Sequence, residues 1–187
     1  MSKLGLLCGV SGAGKSYILD RLDHTHFTTV ELDPVIKHLY TELNVGEADG
    51  DPYLYQSWST FLDSTADDRA VKGAFRDRIL DLRGDGNASL LLIGNHLILP
   101  AMENVVRKAL SSHFSGVTGF FLDVPAETVY RQRKECRKNE WDLKVSMEQV
   151  TAEVQRMRST LPSRRYMVVS SQNMGDKLTA YFTVPNI

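Results

Sequence analysis

The sequence predicts an α/β fold: a three-layer sandwich in which helices cover both faces of a parallel β-sheet. Three observations support it. Short apolar or β-branched runs alternate along the 187 residues with segments of helical periodicity. The run at 89–93 (SLLLI) is continuously apolar, as expected for a strand that is buried on both faces. No pair of strand-like runs has the pattern of an antiparallel hairpin, so the connections favour parallel pairing.

The first elements follow one another closely. The apolar run 4–8 predicts a strand, and a glycine-rich stretch separates it from a helix over 15–22. The segment 27–32 (FTTVEL) is β-branched and aromatic, which favours a second strand. Asp33 ends that strand and can cap a helix over 34–43, whose first residue is a proline.

The middle of the chain is predicted to be mostly helical. Residues 44–52 are rich in turn formers, helices are expected over 53–62 and 67–82, and a turn over 84–87 leads into the strand at 89–93.

The second half continues the alternation. We predict a helix over 100–111, a strand over 117–123, helices over 125–138 and 146–161, and a strand over 166–170. The stretch 176–184 fits either a short helix or a strand. The chain is expected to form one domain over 1–187, with a helical region at about 34–88 between the second and third strands.

Composition indicates an ordinary globular protein. Hydrophobic residues make up 42% and charged residues 24% of the chain, and no apolar run approaches the ~20 residues of a membrane span. The first residues hold one lysine and then enter a strand, so no signal peptide and no membrane partner are expected. Cys8 and Cys136 provide no disulfide framework, and a cytoplasmic location is the expectation.

The net charge of −1 hides an asymmetry. Residues 31–85 hold 12 acidic and 6 basic side chains, whereas residues 131–165 hold 10 basic and 5 acidic ones. We interpret the acidic part as a solvated helical face. We interpret the basic part as functional, because its clustered arginines are suited to binding phosphate groups.

The most specific motif lies at 9–16, directly after the first strand. Its sequence GVSGAGKS matches G-x-x-x-x-G-K-S, the phosphate-binding loop called Walker A. In such a loop, backbone N–H groups cradle phosphates, the lysine reaches the β- and γ-phosphates, and the serine hydroxyl ligates Mg²⁺. We therefore predict a nucleoside triphosphate donor, with ATP and Mg²⁺ as cofactors. The expected contacts are Gly9, Val10, Ser11, Gly12, Ala13, Gly14, Lys15 and Ser16, with Ser16 as the metal ligand.

Other candidates follow from the rule that ligands bind beyond the carboxyl ends of parallel strands. It places Asp33, Asn95, His96 and Asp123 on the same rim as the loop. Asp33 suits a general base that accepts a proton from a hydroxyl, although capping competes for its oxygens. Glu31 is a weaker candidate for contacts to Mg²⁺ through water. Asn95 and His96 stand where an acid is usual and could bind substrate, although a single histidine is as often structural.

A basic cluster follows the fourth strand. Residues 130–138 contain Arg131, Arg133, Lys134, Arg137 and Lys138. Cations that share a helix are stabilised when an anion lies among them, so we expect this cluster, Arg133 included, to contact the nucleotide phosphates. The alternative is a solvated basic helix.

These motifs resemble those of small P-loop kinases of the nucleoside/nucleotide-kinase-like group. The resemblance rests on the loop, on Asp33, and on FFLDVPAETVYRQRKECRKN followed by VSMEQVTAEVQRMRSTLP, which look closest to the polynucleotide-kinase-like and zeta-toxin-like branch. The matching positions in the second half are Leu122, Pro125, Glu127, Arg131, Arg137, Val150, Met157, Leu161 and Pro162.

The resemblance implies a five-stranded parallel sheet in the order 2-3-1-4-5 and a helical lid at about 130–145 that folds arginines over ATP. It implies Asp33 as the base and Arg131 or Arg137 as the lid arginine, acting with Lys15. The chain departs from the pattern where Gly94-Asn95-His96 replaces the usual acid. It also lacks the D-G-x-P-R segment, which disfavours a standard nucleoside-monophosphate kinase.

The acceptor is expected to bind between the second and third strands. Candidates there are Lys37, Tyr55 and Trp58, beside Asp33, Asn95 and His96 at the rim. An aromatic ring near the cleft can stack on a base, but Trp58 also has the spacing of a core residue.

The predicted activity is ATP-dependent phosphorylation of a hydroxyl group. The candidate acceptors are a nucleoside, a sugar, an antibiotic, and a nucleic-acid hydroxyl at a polynucleotide end or on a modified base. A nucleotide-dependent switch is disfavoured because the N-K-x-D guanine motif is absent. A non-catalytic interaction module is the remaining alternative.

Overall fold

The five strands form one parallel sheet in the order β2-β3-β1-β4-β5, as predicted. The computed structural model describes residues 2–46, 60–61, 69–84, 86–98, 100–136, 140–161 and 165–184. The strands are β1 Leu4–Cys8, β2 Phe27–Glu31, β3 Ser89–Ile93, β4 Val117–Leu122 and β5 Tyr166–Val169. Every residue of β1 and β3 is buried, because these strands are flanked by other strands and covered on both faces.

Helices connect the strands and flank the sheet. They are α1 Lys15–Leu19, α2 Leu32–Glu42, α3 Arg69–Arg83, α4 Pro100–Leu110, α5 Ala126–Cys136, α6 Glu140–Lys144, α7 Met147–Thr160 and α8 Met174–Thr183. Helix α3 packs on α2 and α4, α1 contacts α8, and α5 contacts α6 and α7. The predicted α/β sandwich is therefore confirmed.

Two predicted boundaries near the glycine-rich loop were wrong. Helix α1 ends at Leu19 rather than at residue 22, and α2 begins at Leu32 rather than at Pro34. Proline is compatible with this earlier start because backbone N–H groups in the first helical turn have no partner within the helix. Asp33 consequently lies inside the first turn, while Glu31 is the N-cap residue and makes no side-chain capping bond.

The last helices show how side chains define helix ends. Ser146 accepts a hydrogen bond from the N–H of Gln149, whose side chain accepts one from the N–H of Ser146. This capping box starts α7. At the other end of the chain, the segment that fitted helix or strand is the helix α8, which buries residues four apart: Met174, Leu178 and Phe182.

The short helix α6 was not predicted. The predicted helix over 53–62 lies mostly outside the described residues, and Phe61 packs against the core. None of the described helices is long and apolar enough to cross a membrane.

Candidate active site

Strand register brings the glycine-rich loop and two of the predicted polar residues to one edge of the sheet. Leu7 pairs with Ile93, which in turn pairs with Glu31. Two residues further along the chain, just beyond the three strands, come Gly9, Asn95 and Asp33. Adjacent strands lie about 4.8 Å apart, so the beginning of the loop is about 10 Å from the chain that leaves β2.

The loop conformation requires glycine at several positions. A Cβ atom on Gly9 would lie 2.9 Å from the carbonyl oxygen of Leu122 in β4. Gly12 and Gly14 have φ angles of 81° and 88°, in the left-handed region that other residues rarely adopt. The sequence therefore folds into a tight backbone turn just before α1 begins at Lys15.

A cavity of about 610 Å³ lies at this edge. It is lined by many of the predicted site residues: Ser11, Gly12, Ala13, Gly14, Lys15, Ser16, Asp33 and Asn95, together with Glu31. Residues that were not predicted also line it: Tyr17, Ile18, Ile93, Gly94, Gln132, Cys136 and Ser171. The glycine-rich loop, the end of β2 and the end of β3 therefore border the same cavity.

The Lys15 ammonium group is held by oxygen atoms at the edge of the cavity. It donates to the backbone carbonyls of Gly9 at 2.6 Å and Val10 at 3.1 Å, and to Asn95 Oδ1 at 2.6 Å. These three acceptors are uncharged, and Lys15 itself lines the cavity.

Asp33 contributes a carboxylate to the same cavity. Its Oδ1 atom is buried and has no hydrogen-bond partner among the described residues. A buried carboxylate oxygen without a donor is unusual, and such atoms are often completed by a ligand, an ion or water. The capping interpretation of Asp33 is not supported, since the helix makes no side-chain cap.

The arginines expected to contact the nucleotide lie in different environments. Arg133 is 2% exposed and forms hydrogen bonds and ion pairs with Ser11, Asp142 and Glu153. Arg131 is exposed on α5, and neither arginine is among the residues that line the cavity in the described part of the chain. Arg137 lies outside the described residues.

Of the remaining candidates, Lys37 and Asp123 belong to the described part of the structure. Lys37 is exposed on α2 and is not a lining residue of the described cavity, whereas Tyr55, Trp58 and the His96 side chain lie outside the described part of the structure. Asp123 accepts from the guanidinium of Arg158 at 2.7 and 2.8 Å. That ion pair, rather than the cavity, engages its carboxylate.

Sequence reasoning missed the face of α5 that lines the cavity. Gln132 and Cys136 are four residues apart and so share one side of the helix. The Oε1 atom of Gln132 is buried without a hydrogen-bond partner among the described residues. Ser171, just after β5, could have been found by applying the strand-end rule to the fifth strand.

Within the described residues, no three histidine, cysteine, aspartate or glutamate side chains are grouped so that they could hold a metal ion. Ser16 remains the metal ligand expected from the motif.

Solved structures with the same fold include three informative ones. The tunicamycin resistance protein of Deinococcus radiodurans matches with a TM-score of 0.55 and 16% identity, over 99% of this chain and 98% of that one. A shikimate kinase from Bacteroides thetaiotaomicron has a TM-score of 0.54 and 12% identity, over 98% of this chain and 99% of that one. A sugar kinase from a Janibacter species has a TM-score of 0.53 and 16% identity, over 97% and 94%.

These similarities extend over nearly the whole chain, and they show that it has the P-loop kinase fold. The resemblance indicated by the motifs is confirmed at that level, while the branch within the group stays a prediction. No model of a protein family matches the chain, and no curated protein sequence does.

Proposed function

We propose that this protein is an ATP-dependent kinase that transfers the γ-phosphate to a hydroxyl group, with Asp33 as the general base. One observation carries the proposal: the phosphate-binding loop and Asp33, whose Oδ1 atom has no hydrogen-bond partner among the described residues, line the same cavity. The first feature binds a donor, and the second suits the removal of a proton from an acceptor hydroxyl.

The proposed reaction transfers a phosphoryl group to the acceptor and a proton to the protein. The acceptor oxygen forms a bond to the γ-phosphorus, the bond between that phosphorus and the β,γ-bridging oxygen breaks, and ADP leaves. The hydroxyl proton passes to Asp33. Lys15 stabilises negative charge on the transferred group, and Arg131 and Arg137 are proposed to assist it.

The residues present fit a Mg²⁺ complex of ATP. The loop glycines make a backbone cradle that side chains would obstruct, and Ser16 lies at its end beside Lys15. When bound, Mg²⁺ neutralises phosphate charge. Glu31 and Asp33 also line the cavity and are proposed to contact the water ligands of the metal ion.

A small hydroxyl compound is the proposed class of acceptor. Three neighbours in fold are named as a shikimate kinase, a gluconokinase and a sugar kinase, all of which act on small molecules. The segment 31–85 carries twice as many acidic as basic side chains, and this charge disfavours a polyanionic strand.

The test is transfer of label from γ-labelled ATP, with Mg²⁺, to pooled sugars, nucleosides, aminoglycosides, and DNA and RNA ends. We expect Asp33→Asn to lower kcat about 10²- to 10⁴-fold while ATP affinity stays within about threefold. Asp81→Asn, which removes the same charge from an exposed position of α3, should leave kcat unchanged.

Each outcome has a distinct meaning. Full activity in Asp33→Asn refutes the assignment of the base. Wild-type protein that binds ATP but labels no pool refutes the kinase and favours an interaction module or switch. Labelled nucleic acid, with activity that falls steeply as salt rises, would replace the small-molecule acceptor by a polynucleotide.

A further inference from the structure

Arg133 is a buried cation at the back of the phosphate-binding loop. Its Nε atom donates to the carbonyl oxygen of Ser11 at 2.9 Å. Its Nη2 atom donates to Glu153 Oε2 at 2.8 Å, and its Nε atom lies 3.8 Å from Asp142 Oδ1. The guanidinium group therefore joins the loop to α6, which carries Asp142, and to α7, which carries Glu153.

The Arg133 side chain is held by two carboxylates and by the loop. A buried guanidinium is stable only when it is paired and hydrogen-bonded, and the two carboxylates meet that need. The loop also rests directly on the aliphatic part of the side chain, because a Cβ atom on Gly12 would lie 2.8 Å from Arg133 Cγ. Two consecutive loop residues, Ser11 and Gly12, are therefore in contact with Arg133.

The contact with Ser11 determines where the next amide points. The carbonyl of Ser11 and the N–H of Gly12 belong to one planar trans peptide group, so they point in opposite directions. The carbonyl faces Arg133, which is not among the lining residues of the cavity in the described part of the chain, whereas Ser11 and Gly12 line that cavity. The Gly12 N–H therefore points away from Arg133, and we infer that it faces the cavity that Gly12 lines.

We propose that Arg133 is a positioning residue that fixes the Ser11–Gly12 peptide so that the Gly12 N–H can donate to a phosphate oxygen. It acts through the loop backbone, in place of the direct nucleotide contact expected from the sequence. Glu153 and Asp142 hold Arg133, so the phosphate cradle depends on residues of α6 and α7. This inference rests only on the nucleotide-binding half of the proposed function.

Nucleotide affinity is the first measurement. Calorimetric titration of ATP and of inorganic pyrophosphate should give dissociation constants about 10- to 100-fold higher for Arg133→Ala than for the wild type. Arg133→Lys keeps the charge and one donor toward Ser11, and should recover part of the affinity. Arg156→Ala removes the same charge from an exposed position of α7 and should bind both ligands as the wild type does.

The amide resonance of Gly12 separates positioning from direct contact. With positioning, the ¹H–¹⁵N shift of Gly12 already differs between the wild type and Arg133→Lys without nucleotide, and its change on adding pyrophosphate is reduced. With direct contact, the ligand-free shift stays the same and only affinity falls. That second result would overturn the proposal.

Stability is controlled separately. If Arg133→Ala does not fold, Arg133→Lys and Glu153→Gln decide the matter, since both keep a buried cation but weaken the hydrogen bonds that link the loop to α7 through residue 133. Wild-type affinity in both variants refutes the proposal. A wild-type protein that binds ATP without transferring phosphate removes the kinase but not the positioning role, whereas failure to bind ATP removes both.

Discussion

Replacing Asn95 by aspartate tests how tightly the protein itself holds Lys15. The Lys15 ammonium donates to the uncharged oxygens of Gly9, Val10 and Asn95, and an incoming phosphate must compete for the same N–H groups. A carboxylate at position 95 is a stronger competitor than an amide oxygen, because a hydrogen bond between two charged groups is stronger than one to a neutral acceptor. The substitution is nearly isosteric.

The size of the effect follows from the 2.6 Å distance between Lys15 Nζ and Asn95 Oδ1. Two unit charges at that separation attract by about 1.6 kcal/mol in bulk water and by about 6 kcal/mol at an effective dielectric constant of 20. Exposed residues such as Ser16 line the cavity, so water screens the pair and the lower part of the range applies. We expect a net effect of about 1.5–3 kcal/mol, which raises the dissociation constant of ATP about 10- to 150-fold.

The assay is calorimetric titration of ATP in the absence of divalent cations, at fixed ionic strength. Asn44→Asp is the matched control, because it adds the same charge just beyond the far end of α2 and Asp also tolerates the positive φ angle at that position. Asn95→Ala, which removes the competing acceptor, should bind ATP at least as tightly as the wild type.

Equal ATP affinity in Asn95→Asp and the wild type would refute this reasoning. Repeating the titration with Mg²⁺ gives a second criterion. If the variant then binds Mg²⁺-ATP more tightly than the wild type, position 95 serves as a metal-ligand position and its contact with Lys15 is secondary. Weaker binding both with and without Mg²⁺ supports competition for Lys15.

Three further predictions concern thiols and a buried lysine. Cys136 is exposed and lines the cavity, whereas Cys8 is buried. At pH 8 a disulfide reagent should therefore label Cys136 alone, and bound ATP should slow the reaction. Equal labelling rates with and without ATP would count against a nucleotide beside Cys136. Burial raises the pKa of Cys8 to about 12, so the neutral thiol is favoured in the folded state. The unfolding free energy of the wild type should then fall, relative to Cys8→Ala, by about 1.4 kcal/mol per pH unit from pH 9 toward 12, measured by urea titration; parallel curves would contradict this. Lys3 is buried and donates hydrogen bonds to the carbonyls of Tyr181 and Val184 at the end of α8. Lys3→Met should therefore lower the unfolding free energy by about 2 kcal/mol. An unchanged unfolding free energy would show that these hydrogen bonds make no net contribution to stability.

The sheet could be predicted because its information is local. Each strand is a short run whose composition differs from its surroundings, and β3 matches its predicted bounds of 89–93. The start of α2 could not be predicted, because Pro34 suits several positions of a first turn and the choice depends on the packing of Leu32, which is fully buried. The last segment is the helix α8, in which residues four apart are buried in the core. The nine residues from 176 to 184 were too short a stretch for their periodicity to distinguish a helix from a strand.

The candidate site also contains some residues that could be predicted from the sequence and others that could not. The phosphate-binding loop is a contiguous motif, so its residues were identifiable in the sequence, and the strand-end rule located Asp33 and Asn95. Gln132 and Cys136 were missed because their role depends on how α5 is rotated about its axis, which is fixed by contacts with α7 and with the loop. Sequence spacing gives the relative directions of side chains on a helix but not which direction faces the site.

The rotation of α5 about its own axis determines which of its charged side chains can reach the cavity. Arg133 follows Val129 by four residues, and the two share the buried side of α5. The side that lines the cavity presents Gln132 and Cys136, neither of which is a cation, while Arg131 is exposed. In the described part of the chain, Lys15 is consequently the cation that lines the cavity. If phosphate charge is stabilised there mainly by Lys15, Lys15→Met should reduce ATP affinity far more than Arg131→Met does, although the sequence assigned both residues to the same task.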